Sequence, residues 1–220
     1  MPKILQREID KLKKMILAVG AAVEESVNKS VVSIHDLDER LAQKVVDNDA
    51  QIDQMEIDVE EECLKILALH QPVAIDLRFI VAVLKINNDL ERIGDLAVNI
   101  SERAVMLART DRVPYPAEMI DEMSAKVKAM LKKSLDSLVN LDAALAREVC
   151  ASDDEIDLLN RKVFDVITQE LDARPNSAAS LIPILTVSRS LERIADHTTN
   201  IAQDVLYMLE GEIVRHKNLG

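Results

Sequence analysis

Aromatic residues are nearly missing from this chain: two Phe, two Tyr and no Trp make up 2% of its 220 residues. Its core must be aliphatic, and it lacks the stacking platforms on which single-strand nucleic-acid binders depend. Glycine (4) and proline (6) are scarce, so few turns punctuate the chain. Nothing resembles the evenly spaced short strands of a sandwich or barrel. The only two cysteines, Cys63 and Cys150, have neither metal nor redox spacing. The longest uninterrupted apolar run, Phe79 to Leu84, is far short of the roughly 20 residues that cross a bilayer. The opening Met-Pro-Lys-Ile-Leu-Gln-Arg-Glu has no signal-peptide core. Basic charge is also in deficit: 27 Lys and Arg against 39 Asp and Glu leave −12, the wrong sign for phosphate-backbone binding. These absences predict a reduced, cytoplasmic protein with no nucleic-acid partner and no transmembrane segment, reaching a membrane only through partners. Cations and basic protein surfaces are the partners that such a charge favours.

What remains is helix-forming. The chain is 48% hydrophobic and 30% charged, rich in Leu, Ala, Glu, Lys and Met, and reads as all-α. Ile9, Leu12, Ile16, Val19, Val23, Val27 and Val31 recur at steps of three and four, predicting a first helix from about Ile4 to Val32. Asp36 with Glu39 resembles a capping box that opens a second helix, running to Leu69. Pro72 suits the first turn of a third, which extends to about Arg109. Residues 110–116, Thr-Asp-Arg-Val-Pro-Tyr-Pro, form the strongest linker signal. Three more helices are predicted at about 117–139, 140–173 and 176–209, with a kink or late start at Pro183.

The two sets of helices are copies. Leu41, Val45, Asp49 and Asp53 match Leu145, Val149, Asp153 and Asp157 at an offset of 104. The stretch Leu90-Glu91-Arg92-Ile93-Gly94-Asp95-Leu96-Ala97-Val98-Asn99-Ile100 returns as Leu191-Glu192-Arg193-Ile194-Ala195-Asp196-His197-Thr198-Thr199-Asn200-Ile201 at an offset of 101. The expected architecture is two tandem three-helix antiparallel bundles related by internal duplication: residues 1–110, a linker at 111–116, and residues 117–220.

Each copy carries a helical conflict. Glu91 and Asp95 lie at i and i+4, as do Glu192 and Asp196, Asp49 and Asp53, and Asp153 and Asp157. Each such like-charged pair destabilises an isolated helix by roughly 0.2–0.5 kcal/mol. Counting from the turns sets their heights. Asp53 lies 17 residues before His70 and Glu91 lies 18 after Val73, so both are roughly 26 Å from the turn at 1.5 Å per residue. In the second copy Asp157 and Glu192 are each 16 residues from Ala173 and Asn176, so both arms of the hairpin shortened together. The eight carboxylates of Asp49, Asp53, Glu91, Asp95, Asp153, Asp157, Glu192 and Asp196 thus form two level sets of four, with Asn99 and Asn200 as secondary candidates one turn further on. Hard oxygen donors of this kind suit Mg, Ca or Mn, and carboxylate clusters also hold iron or zinc. Gly94 and Ala195 are expected to allow close helix approach.

These motifs, together with Gln71-Pro72-Val73-Ala74 and Asp76-Leu77-Arg78, resemble the paired signature of the PhoU family over nearly the whole chain. The resemblance implies tandem bundles with pseudo-twofold symmetry and iron or zinc clusters held by the eight carboxylates. It also implies a non-enzymatic, often dimeric regulator that represses the phosphate-starvation response (the Pho regulon) when phosphate is plentiful. By resemblance, its partners are the phosphate ABC transporter and a sensor histidine kinase.

Two other readings stay open on the residues alone. One is a carboxylate-bridged di-metal enzyme, although no histidine here has a Glu three residues before it, as ferritin-like sites require. The other is a metal-free helical adaptor in which Arg92 and Arg193 neutralise the acids. His197 reads as a structural or surface residue rather than a ligand, Asp204 as solvated, and the cysteines as small buried groups.

Overall fold

The apolar spacing produces helices throughout. The computed structural model describes residues 3–110 and 113–211, and among these there is no strand. The chain forms α1 (Lys3–Asp36), α2 (Glu39–His70), α3 (Ala74–Ala108), α4 (Ala117–Asn140), α5 (Ala143–Ala151), α6 (Asp153–Ala173) and α7 (Ala178–Glu210), with a short 3-10 turn at Pro175–Ser177 before α7. Asp111 and Arg112 of the expected linker, and residues 1–2 and 212–220 of the expected domains, lie outside the described residues.

The first hairpin turn differs from its expected form. Helix α1 continues to Asp36, so Asp36 is not the cap of α2. Leu37 takes a left-handed conformation (φ 53°) and ends α1. Asp38 then caps α2, its Oδ1 accepting from the amides of Arg40 (2.9 Å) and Leu41 (3.0 Å). Glu39 pairs with Arg109 instead of closing a capping box. The second copy repeats this turn residue for residue. Leu141 has φ 54°, and Asp142 Oδ1 accepts from Ala144 and Leu145. Behind each turn two buried serines bond back to the carbonyl three residues earlier: Ser30 and Ser33, then Ser134 and Ser137.

Three further details depart from the sequence reading. Pro72 precedes the extended N-cap Val73 and so lies outside α3, two residues after α2 ends. The expected helix at 140–173 breaks at Ser152, whose hydroxyl donates to the Glu148 carbonyl (2.9 Å) while its amide bonds Val149. Such back-bonding competes with the helical ladder and bends it. Pro183 sits inside α7 without interrupting it; the helix begins at Ala178, two residues later than expected.

The two bundles do not stand apart. Helix α3 packs on α1, α2 and α7; α7 packs on α4, α5, α6 and α3, and the α3–α7 contact is the most extensive in the molecule. Leu12, Ile16, Ile86, Leu90, Ile93, Met123, Leu131 and Ile156 are fully buried in one continuous aliphatic core. Truncating such a side chain to alanine costs roughly 2–5 kcal/mol. No described helix is long and apolar enough to cross a membrane. The central α3–α7 pairing leaves the α2/α3 and α6/α7 seams facing outward, and these seams carry the carboxylates.

Candidate metal centres on the two hairpin seams

In the first seam, Ile52 is buried on α2 and Ile93 on α3. Their acidic neighbours are therefore held at the edge of the helix contact rather than in it. The two helices meet closely here: a Cβ placed on Gly94 would lie 3.5 Å from Ile52 Cγ2 and 3.8 Å from Asp49 Oδ1. These are ordinary contact distances, so the seam does not require glycine, and its counterpart Ala195 is buried.

The carboxylates repel one another across this seam. Asp49 is pushed above the usual carboxylate range by burial, then by Asp53 and Asp95. Glu91 rises through burial and Asp95; Arg92 opposes the rise, while Asp53 and Glu56 add to it. Arg92 lies 3.3 Å from Glu91 Oε2 and 3.4 Å from Asp95 Oδ2. Even so, Glu91 Oε2 is buried and accepts no hydrogen bond. Glu56 joins the set, its pKa raised by burial, Glu60 and Asp53.

The second seam holds the same four groups. Asp153 is raised by burial and by Asp157 and Asp154, against the hydroxyl of Thr199, which donates to its Oδ1 at 3.2 Å. Glu192 is raised by burial, Asp157 and Asp153, opposed by Arg189 and Arg193. Asp196 is pushed up to about 6, first by burial and then by Glu192, Asp153 and Asp157, with His197 opposing. Arg193 has no ion-pair partner among the described residues, so the bridge made by Arg92 has no copy here.

The structure therefore brings each sequence-predicted set of four carboxylates to one seam. It does not gather them about a point: among the described residues no three His, Cys, Asp or Glu side chains are arranged to hold a metal ion.

The secondary candidates and their neighbours behave differently from the ladder. Asn200 donates to Asp89 (3.3 Å), and His197 Nδ1 lies 2.8 Å from the same carboxylate. Both α7 groups thus tie the second unit to α3, and His197 is structural, as expected. Asn99 is half-buried on the corresponding face of α3. Asp204, expected to be solvated, is only 2% exposed and pairs with Lys85 of α3 at 3.3 Å. It faces the other unit, a direction that the ladder spacing along α7 does not report.

Sequence reasoning missed Glu56 and Thr199. Glu56 lies one turn after Asp53 and Thr199 one turn after Asp196, so i,i+3 spacing was the available signal. Each seam is also pinned one turn beyond its carboxylates. Asn87 donates to the Glu56 carbonyl (2.9 Å), and Ser188 donates to Asn160 Oδ1 (2.7 Å) at the matching positions.

Known proteins share this fold. The PhoU domain profile matches residues 16–104 and 120–205, one match per copy. A phosphate-specific transport system accessory protein PhoU homolog of Pseudomonas putida is 37% identical over 212 residues, spanning 96% of this chain and 83% of that protein. Its namesake from Aquifex aeolicus is 35% identical, spanning 98% and 97%. The crystal structure of PhoU from Pseudomonas aeruginosa superposes with a TM-score of 0.92 at 36% identity, covering 94% of this chain and 99% of that one. The phosphate transport system regulatory protein PhoU from Streptococcus pneumoniae gives 0.88 at 26% identity, covering 96% and 99%. With both copies matched and relatives aligned end to end, the chain belongs to the PhoU family.

Proposed function

We propose that this protein is a non-enzymatic accessory regulator of phosphate uptake. It represses the phosphate-starvation response when phosphate is plentiful by coupling the phosphate ABC transporter to a sensor histidine kinase. It acts in the cytoplasm, as a homodimer, and meets the membrane through those partners. The observation that carries this reading is end-to-end similarity to proteins named as accessory or regulatory components of phosphate transport.

In this reading cations occupy the two seams. Asp49, Asp53, Glu91 and Asp95 would hold one site, and Asp153, Asp157, Glu192 and Asp196 the other. The donor set suits the role chemically: all ligands are hard oxygens, burial and then neighbouring carboxylates raise the pKa values of Asp49, Glu91, Asp153, Glu192 and Asp196, and Glu91 Oε2 is buried without a donor. Iron or zinc is the proposed occupant, with Mg, Ca or Mn as competitors. A bound cation would supply positive charge that neutralises the seam and alters the surface offered to partners.

For the first seam, a metal-free reading has one observation in its favour. Arg92 already lies beside Glu91 and Asp95 and supplies part of the missing charge.

Two measurements test the proposal. Elemental analysis of protein purified without a metal-binding tag should find bound metal that falls on replacing Asp153 and Asp157 by alanine. Deletion of the gene should leave phosphate-responsive genes permanently on, and normal repression in the deletion strain would reject the regulatory reading.

A further inference from the structure

The outward side of the α2/α3 hairpin carries apolar side chains among charges of one sign. Ile57 and Leu64 of α2 are 45% and 54% exposed, and Leu77 of α3 is 40% exposed. The bond from Asn87 to the Glu56 carbonyl sets residue 87 beside residue 56. The antiparallel register then brings half-buried Val81 level with residue 62 and Leu77 level with residue 66. Glu60 and Glu61, between Ile57 and Leu64, are exposed and form no ion pair with any described residue. The Glu56 carboxyl beside them is raised by burial, then by Glu60 and Asp53, with no cation opposing the rise. The flanking cations are engaged elsewhere: Arg92 by Glu91 and Asp95, and Lys11 and Lys65 by Glu62 on the α1 side.

The duplication supplies an internal control. At the positions of Ile57, Glu60, Leu64 and Asn88 the second copy has Arg161, Phe164, Thr168 and Arg189. Both seams are nevertheless pinned at matching positions, by Asn87 in one and Ser188 in the other. The hairpin therefore folds without an apolar, acidic outer face, and Ile57, Glu60 and Leu64 reach solvent instead of serving the core. Charge narrows what can cover that face. A second copy docked by the same face would bring Glu60 and Glu61 against their own kind, and anionic lipid and nucleic acid carry the wrong sign.

We propose that the outward face of α2 and α3 docks a basic amphipathic helix of another protein. Apolar residues of that helix cover Ile57, Leu64 and Leu77, and its Lys or Arg residues pair with Glu60 and Glu61. Ile57 and Leu64 are separated by two turns, about 10.5 Å, the interval at which one helix lies along another. Recognition of this kind reads apolar anchors spaced along one helix face, while opposite charges at the rim select the partner. Glu60 and Glu61 lie outside the two carboxylate sets, so this assignment stands whether or not those sets hold cations.

The test uses the full chain, in chelator, and a panel of fluorescein-labelled helical peptides with Leu at i, i+4 and i+7. The panel varies the positions of flanking Lys residues, and a matched panel carries Glu in place of Lys. Anisotropy titrations should show binding by at least one Lys peptide, weakening with salt, and none by the Glu panel. Leu64→Ser and the double variant Glu60→Lys/Glu61→Lys should each weaken it about tenfold or more. Asp165→Lys/Asp172→Lys makes the same change of charge at exposed positions of α6 and should leave binding unchanged. All these changes are at exposed positions, and unchanged thermal melting will show that the variants remain folded. The assignment is overturned if no Lys peptide binds, if both panels bind equally, or if Leu64→Ser binds as the parent does. It is also overturned if the α6 variant weakens binding as much as the α2 variant, since attraction to net charge alone would then account for it. Sedimentation that reveals a concentration-dependent dimer abolished by Leu64→Ser would assign the face to a second copy and overturn it as well.

Discussion

Replacing Asp196 by Asn should make the metal-free protein more stable at neutral pH. The folded protein holds the Asp196 carboxyl at about 6, against 3.8 for the free group. A carboxyl raised on folding binds its proton more tightly in the native state. Its favourable contribution is therefore complete below about pH 4, and it is lost as pH rises through 6. At pH 7.5 the full shift would cost about 3 kcal/mol. Asp196 lies on an exposed rim, and solvent screening reduces that to about 1 kcal/mol. For a chain of this length 1 kcal/mol moves the melting midpoint by about 2–4 °C. Chelator-treated protein should be melted across pH 4–8. The Asn variant should gain stability over the parent above pH 6 and lose that gain towards pH 4. Divalent metal should stabilise the parent more than the variant, because a ligand that binds only the folded state adds to stability by mass action. A pH-independent difference, or a variant less stable than the parent at pH 7.5 without metal, would refute the account of the seam as a site of stored repulsion.

Three other outcomes follow from particular contacts. Asp38→Ala and Asp142→Ala each remove a cap that accepts two amides, and each should cost about 1 kcal/mol in urea unfolding. Unequal losses would break the equivalence of the two turns. Gly94→Ala should stabilise by about 0.5–1 kcal/mol, since the added methyl meets Ile52 at 3.5 Å and glycine is a poor helix former; a loss would mean that the helices must close further than they do here. A double-mutant cycle on Asp89→Ala and His197→Ala should give a coupling of about 1 kcal/mol across the α3–α7 interface, and additive losses would count against that bond.

How much of this was readable beforehand depends on the range over which each feature is determined. Periodicity along a helix is local, so the apolar stripes of α1, α3 and α7 and the i,i+4 acid pairs were legible in the residues alone. Height in a hairpin needs only the rise per residue and the position of the turn. That is why Asp49 and Asp53 could be set opposite Glu91 and Asp95, and why the shorter second hairpin kept its register. The turns were less legible. Asp36 and Asp38 are both chemically fit to cap α2, and the choice falls on Asp38 because Leu37 adopts the left-handed conformation. The break at Ser152, whose amide bonds the carbonyl of Val149 rather than that of Glu148, lies in local backbone geometry that composition cannot report.

The sequence by itself determined an all-helical duplicated chain with two level sets of four carboxylates, because each of those features follows from spacing along one helix or one hairpin. Only the tertiary structure decided how each helix is rotated towards the other unit. That rotation buries Asp204 against Lys85, turns His197 and Asn200 to Asp89, and adds Glu56 and Thr199 to the seams. Its physical source is the packing of α3 on α7, a contact between residues about a hundred positions apart that no local period records.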